Sequence, residues 1–409
     1  MEQNTNSKIS KIFAEEIKDS RGNPTLKVTV WVGDLFDSFS VPSGASTGAH
    51  EAHELRDEDG KGVKLAAEKV NNEIQLALID ADVLNQKEID RIIIELDGTE
   101  NKDNFGGNSM IGVSIACAKV AAKVQSIEVY EHLRTLSEMK PSRRIPHLYM
   151  NLINGGKHAK NDLAFQEYHV VSDIEDASLA VDIGFKIQNS LKEIIEKELG
   201  EESLILGDEG GYAPKISDIR KPLEYLSTAI KMNELEGKVR LALDVASSSF
   251  FNDGKYKVDG KEITKEELAD IYSSLIKEFN LISIEDPFDE EDFESFTKLK
   301  ELEKDLIVVG DDLTVTNKFL LQKAINRKSI SGMIIKPNQI GTLSETLETM
   351  RLARENDIEL IVSHRSGETD DDFIADLAFA FGTYGLKTGS PVKSERMVKY
   401  ERLIKISKV

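Results

Sequence analysis

Between Val239 and Lys387 the chain reads VRLALD ending at Asp244, LISIED at Glu285 and Asp286, and LIVVGDD at Asp311 and Asp312. It continues with GMIIK at Lys336, LIVSHRS at His364 to Ser366, and GLKTG at Lys387. Each is a short apolar run that closes on residues able to do chemistry. The segments between carry helix start signals, among them Thr264 with Glu267 and Thr342 with Glu345, both Thr-x-x-Glu capping boxes. Buried strands alternating with amphipathic helices describe a parallel β/α sheet. Charges that keep returning to strand C-terminal ends point to a closed β/α barrel, with its active site at that face.

At 409 residues the chain is long enough for one barrel and a smaller domain. Its net charge of −21 argues against non-specific nucleic-acid binding, which needs a basic surface. The lone Cys117 excludes an internal disulfide, and its setting, IGVSIACAKVAAKV, fits a buried structural thiol. That run is the most membrane-like stretch, yet Lys119 and Lys123 interrupt it short of a bilayer span. MEQNTNSKIS lacks the apolar core of a signal peptide, so the expectation is a cytoplasmic protein with no membrane partner.

Working outward from the barrel, residues 1–7 read as frayed. Ile9 to Glu16, Thr25 to Val32 and Leu35 to Val41 form a three-stranded meander turning at DSRGNPT. Pro42 to Glu54, PSGASTGAHEAHE, reads on composition as a plain linker, although Gly44 and Gly48 could let backbone approach a ligand. Its His50 and His53 are three positions apart rather than four, so it is not a zinc-protease motif. Helical patterns cover Lys61 to Ile79, Gln86 to Leu96 and Ser109 to Val124. KPSRRIP, Lys140 to Pro146, is the candidate boundary between an N-terminal α+β domain over 1–140 and a barrel over 147–409. HLYMNLIN and FQEYHVV lie close enough to open the barrel as a β-β pair, followed by helices over Ala177 to Lys197 and Ile219 to Met232. Neither a phosphate-binding P-loop nor a dinucleotide glycine fingerprint is present.

Asp244, Glu285 and Asp311 end three successive strands and converge above the barrel. Three like charges there repel unless a cation neutralises them, and hard oxygen donors suit Mg²⁺. The doublets Glu285-Asp286 and Asp311-Asp312 leave the ligand open, because neighbouring strand residues point opposite ways. Lys336, beside divalent cations, Lys387 and Arg365, has its ammonium form disfavoured and suits a general base; the alternative is a counter-charge. His364-Arg365-Ser366 is an anion cradle for phosphate or carboxylate. GDEGGYAP, Gly207 to Pro214, carries an acid, Asp208 or Glu209, into the cleft or is a tight loop. Metal, amine base, carboxylic acid and anion cradle together fit proton abstraction beside a carboxylate.

DSRGNPT, VPSGASTG, LDGTENK, NGGKHA, GDEGGYAP, LDVASSSFF, SIEDPF, GDDLTVTN, KPNQIGTLSET, VSHRSGETDDDFIADL and LKTGSPVKSER run nearly end to end, and through them the chain resembles the enolase family. The resemblance implies a barrel that starts β-β-α-α, two Mg²⁺ per active site, and reversible dehydration of 2-phosphoglycerate to phosphoenolpyruvate through an enediolate. It implies Asp244, Glu285 and Asp311 as ligands of the first Mg²⁺, Ser46 of the second, and Lys336 as the base at C2. Glu209 assisted by Glu167 becomes the acid, and His158, Glu167 and Lys387 contact substrate. Arg365 and Ser366, flanked by His364, bind its phosphate. Ser46 would sit on a mobile loop, which overrides the linker reading. A homo-oligomer, a dimer or an octamer of dimers, is implied as well.

Departures from the family pattern are Lys157 before His158 and Ser249 in place of Glu, neither removing a catalytic residue. Of the expected intersubunit charge pairs, Glu15 with Lys408 is opposite in sign, whereas Lys27 with Lys405 is not. Two other readings stay open: a metal-assisted lyase or racemase of another acid, and a non-catalytic binding protein. Arg365-Ser366 and Ser46 weigh against the first, and the full set of Lys336, Glu209 and three carboxylates against the second.

Overall fold

The computed structural model describes residues 7–44 and 48–408, so the start expected to fray, apart from Ser7, and Ser46 lie outside the described residues. The expected meander forms as β1 (Lys11–Lys18), β2 (Pro24–Val32) and β3 (Leu35–Ser40), paired antiparallel. Asp19 makes its first turn, with Oδ1 accepting from Arg21 N at 2.9 Å and Asn23 N at 2.8 Å. Across the β1–β2 register Glu15 faces Lys27, so each has an opposite charge beside it within the chain. The helix Gly107–Gln125 packs on β2 and β3 and is buried on nearly every side. That is why its sequence is apolar all round: it is the core of this part, not an amphipathic surface helix. Among the described residues no single helix is long and apolar enough to cross a membrane.

The helix expected over Lys61 to Ile79 is interrupted, running as Lys64–Lys69, a π-helical turn Val70–Ile74, and Gln75–Leu78. It docks where β1 would otherwise leave its outer edge unpaired. Asn71 accepts from Ala14 N at 2.7 Å and donates to Ala14 O at 2.9 Å, and Gln75 accepts from Ile12 N at 3.0 Å. Side-chain amides therefore stand in for a fourth strand.

The barrel begins with β4 (His147–Asn154), β5 (Glu167–Ser172) and β6 (Val239–Asp244). A small antiparallel sheet that the sequence did not announce follows, made of β7 (Phe251–Asn252), β8 (Lys255–Val258) and β9 (Lys261–Ile263). Then come β10 (Leu281–Glu285), β11 (Ile307–Gly310), β12 (Gly332–Ile335), β13 (Glu359–Ser363) and β14 (Gly385–Lys387). The sheet closes in the order β10-β11-β12-β13-β14-β4-β5-β6. Only β5 runs against its neighbours, with Asn154 and Asp244 both opposite Glu167. Its first residue therefore arrives at the face where the other strands deliver their last. Tyr149, Val171, Ala242, Ile282, Val309, Ile334 and Ile361 plug the interior beneath that face.

Helices cover the outside, Ala177–Leu199 and Lys221–Met232 among them, close to their expected bounds. Thr264 makes the full capping box, but Thr342 makes half of one. The Glu345 carboxylate that should complete it accepts from Thr342 Oγ1 and is drawn to Lys102 Nζ at 2.9 Å. A tertiary ion pair has displaced a local bond. The helix Val129–Thr135, at 7 residues, is too short for its periodicity to show in the sequence.

Replacing Asn71 with Leu strips both bonds from Ala14, and urea titration should show a loss of roughly 1–3 kcal/mol. Burial, with a contribution from Asp90, pushes the Cys117 thiol well up. A thiol-reactive dye should leave the native protein unlabelled and label it stoichiometrically once it is unfolded.

Candidate active site

A cleft opens over the strand ends, lined by His158, Glu167, Glu209, Asp244, Asp311, Lys336, His364, Arg365, Ser366 and Lys387. At its centre Lys387 Nζ, delivered by β14, donates to Asp244 Oδ2 at 2.7 Å and to both oxygens of Glu285 at 2.9 Å, and lies 3.4 Å from Glu167 Oε2. Burial works against the ammonium, but Asp244, Glu167 and Glu285 overcome it and raise its pKa well above the ordinary lysine value. The carboxylates bear the reciprocal cost. Burial raises Asp244 despite Lys387, and burial followed by the charge of Asp244 raises Glu285 well above its usual range.

Lys336, at the end of β12, donates to Asp311 Oδ2, whose other oxygen accepts from Gln339 Nε2 at 3.0 Å. Burial raises Asp311 less than Lys336 and Lys387 lower it, so its carboxyl sits below the usual range. For Lys336 itself, burial favours the neutral amine, yet Asp311 outweighs it and the pKa is raised. The protein's own groups thus hold Lys336 as an ammonium, the reverse of the disfavoured ammonium expected beside divalent cations. Carboxylate is its nearest neighbour here.

The doublets separate cleanly. Glu285 faces Lys387, whereas Asp286, at φ 42°, turns aside to accept from Asp311 N at 2.9 Å and Asp312 N at 2.8 Å. Asp286 thereby ties the end of β10 to the loop after β11. Asp286, Asp311 and Asp312 bring oxygens within 4.8 Å of one another, as His158, Glu167 and Glu209 do their ligand atoms, and either group could hold a cation. Burial and the Asp311 charge push Asp312 up to about 8.

On the opposite wall Glu167 and Glu209 are bridged by histidine. His158 Nδ1 is 3.2 Å from Glu167 and 3.5 Å from Glu209, and His169 Nε2 is 2.8 Å from Glu167. Asn151 Nδ2 donates to Glu209 at 3.0 Å and His364 Nε2 lies 3.3 Å away. Burial raises both acids, but Lys387 acting on Glu167, and His364 and His158 acting on Glu209, reverse it and leave both well lowered. Arg365 is held in a two-pronged pair with Glu51, at 2.9 and 3.1 Å, and reaches Asn338 Oδ1 at 3.2 Å. Lys157 is exposed and is not among the lining residues.

Every expected site residue among those described therefore meets at one cleft or its immediate wall. Asp208 does not; it is half turned to solvent near Arg21. Sequence reasoning missed Asn151, His169, Glu51, Gln339 and Asp286 in its own role. His169 had a signal: two positions after Glu167 on a strand, it must share that face. Glu51 had none, since its partner is 314 residues away.

Residues 142–409 match the family model for the enolase C-terminal TIM barrel domain, and residues 9–133 that for the enolase N-terminal domain. The chain is 46% identical over 404 residues to a protein named enolase from Methanocaldococcus jannaschii, covering 97% of this chain and 94% of that one. It is 44% identical over 404 residues to an enolase from Sulfurisphaera tokodaii, with 98% and 95% covered. Against an enolase from Methanococcoides burtonii it is 44% identical over 405 residues, with 97% and 94% covered.

That family implies a divalent metal, and the donor set fits one. Asp244, Glu285 and Asp311 are buried hard-oxygen donors; burial first, then the charge of neighbouring carboxylates, raises the first two. The raised pKa of Glu285 means that its contribution to stability is complete below the ordinary carboxylate value and is lost as pH rises through the folded one. Near neutral pH in chelator, Glu285→Gln should consequently melt at or above the wild-type temperature. At a Mg²⁺ concentration about a hundred times its dissociation constant, wild type should gain about 2.7 kcal/mol and the variant far less. An equal gain in both would remove Glu285 from the cation site.

Proposed function

The chain belongs to the enolase family, and from that premise we propose that it is a glycolytic phosphopyruvate hydratase. Its reaction would be the reversible dehydration of 2-phosphoglycerate to phosphoenolpyruvate with two Mg²⁺ per site. One observation carries the reading: Lys336 and Glu209, which this reading makes the base and the acid, line a single cleft together with Lys387 and Arg365.

In this reading Asp244, Glu285 and Asp311 hold the first Mg²⁺ and Ser46 the second. The bound ions supply positive charge against the second negative charge that the substrate carboxylate gains as its C2 proton leaves. Lys336 Nζ takes that proton, and it can do so only once Asp311 no longer holds it as an ammonium. Lys387 and His158 contact the substrate, with Lys387 offsetting charge that grows toward the transition state. Arg365 and Ser366 bind the phosphate, which competes with Glu51 for the guanidinium. Glu209, assisted by Glu167, protonates the departing C3 hydroxyl. The histidines keep Glu209 ionised, so it takes up its proton after the anionic substrate has entered and raised its pKa. The same proposal includes a cytoplasmic homo-oligomer, a dimer or an octamer of dimers, which light scattering would size.

Ultraviolet absorbance should rise as the enol product forms from 2-phosphoglycerate, only when Mg²⁺ is present. In Lys336→Ala, kcat should fall by roughly 10²–10⁴-fold in protein that circular dichroism shows to be folded at the assay temperature. No product from folded, Mg²⁺-loaded wild type would overturn the proposal.

A further inference from the structure

Arg396 lies on the C-terminal helix Ser394–Ser407 and is fully buried. Its Nη1 is 2.7 Å from His364 Nδ1 and donates to the Arg365 carbonyl at 2.6 Å, while Nη2 donates to the Ser366 carbonyl at 2.7 Å. A guanidinium carries five N–H donors and no acceptor, so the ring nitrogen that faces it has to accept. The other ring nitrogen, Nε2, is buried and makes no hydrogen bond of good geometry; its carboxylate neighbour is Glu209 Oε2 at 3.3 Å, an oxygen that already accepts from Asn151 Nδ2 at 3.0 Å. An ionised carboxylate can only accept. The two ring nitrogens therefore meet partners of opposite kind, and turning the ring over would put carbon against both.

We propose that Arg396 fixes His364 as the tautomer with its hydrogen on Nε2, and is thereby a positioning residue that places an N–H beside Glu209. The catalytic weight of this inference rests on the reading of Glu209 as the acid; the tautomer itself does not. Three charged groups face His364: Arg396 from the C-terminal helix, Glu209 from the glycine-rich loop, and Glu167 from β5. Burial and Arg396 keep the ring neutral against the pull of the two carboxylates. A neutral Nε2–H group beside Glu209 favours its ionised form through its dipole, without competing with it for the proton that Glu209 must later carry. Because the same guanidinium pins the carbonyls of Arg365 and Ser366, one buried side chain sets both the acid wall and the anion cradle.

The test is long-range proton–nitrogen correlation NMR on ¹⁵N-labelled full-length protein without substrate. His364 is picked out from the 7 histidines by the signals that vanish in His364→Gln. In wild type, His364 should show an unprotonated Nδ1 and a protonated Nε2, unchanged between about pH 5.5 and 8. A protonated Nδ1, or titration near the ordinary value of about 6.5, would overturn the proposal. In Arg396→Met, His364 should lose the fixed pattern and either mix tautomers or titrate, and Arg396→Lys should restore it in part. An unaltered His364 in folded Arg396→Met would also overturn it. If that variant does not fold, the wild-type spectrum still decides. None of these spectra depends on turnover, so inactivity toward 2-phosphoglycerate would count against the proposed function alone.

Discussion

The mouth of the barrel is organised around one ammonium group. Lys387 Nζ stands among the carboxylates of Asp244, Glu285 and Glu167, all of them buried. In the closed ring, β14 is four places from β10, so Lys387 spans the opening to reach Glu285 on the far side. Without that cation the strands would bring like charges together in a poorly solvated place, at several kcal/mol for each unpaired group. The raised values of Asp244 and Glu285 show that even this compensation is incomplete. A cluster tuned for stability would look different: apolar side chains of similar volume would serve at least as well. The frustration is local and lies where hard-oxygen donors are gathered, as expected of a site retained for chemistry.

The barrel does not complete its own cleft. Ser43 bridges Gly367 through backbone hydrogen bonds of 2.8 and 2.9 Å, and Asp19, which shapes the first turn, accepts from Ser43 Oγ at 3.0 Å. A side chain at position 367 would meet Asp19 Oδ2 at 2.3 Å, so glycine there is a condition of the contact. From the same quarter Glu51 supplies the counter-charge of Arg365 and touches Gln339, which in turn holds Asp311. The N-terminal part therefore sets the charge state and aim of residues that the barrel strands carry. Its meander is in turn kept from offering an open edge by Asn71 and Gln75.

Electrostatic partition across the cleft follows from these neighbours. One wall holds lysine ammoniums against metal-type carboxylates; the other holds carboxylates ionised by histidine and amide donors. The protein's own groups thus favour for Lys336 and Glu209 the protonation state opposite to the one their proposed roles need. Ligand charges have to invert them, which ties proton transfer to a filled site.

Strand ends, apolar runs and capping signals were legible in the sequence because period and local chemistry set them. They gave the barrel, its β-β opening, the meander, the buried Cys117 and the site residues at the strand ends, whereas His158 and Glu167 entered only through the family resemblance. Local signals failed where a distant partner intervened: the half-formed box at Thr342 and the π turn at Val70–Ile74. What pairs with what was decided only by closure of the sheet. Asp286 turning aside, Glu51 on Arg365, and Arg396 behind His364 join residues 25, 314 and 32 positions apart. A sequence fixes which groups a strand end or helix can offer. The field each group then feels depends on neighbours brought in by the whole fold, because charge interactions act through space and not along the chain.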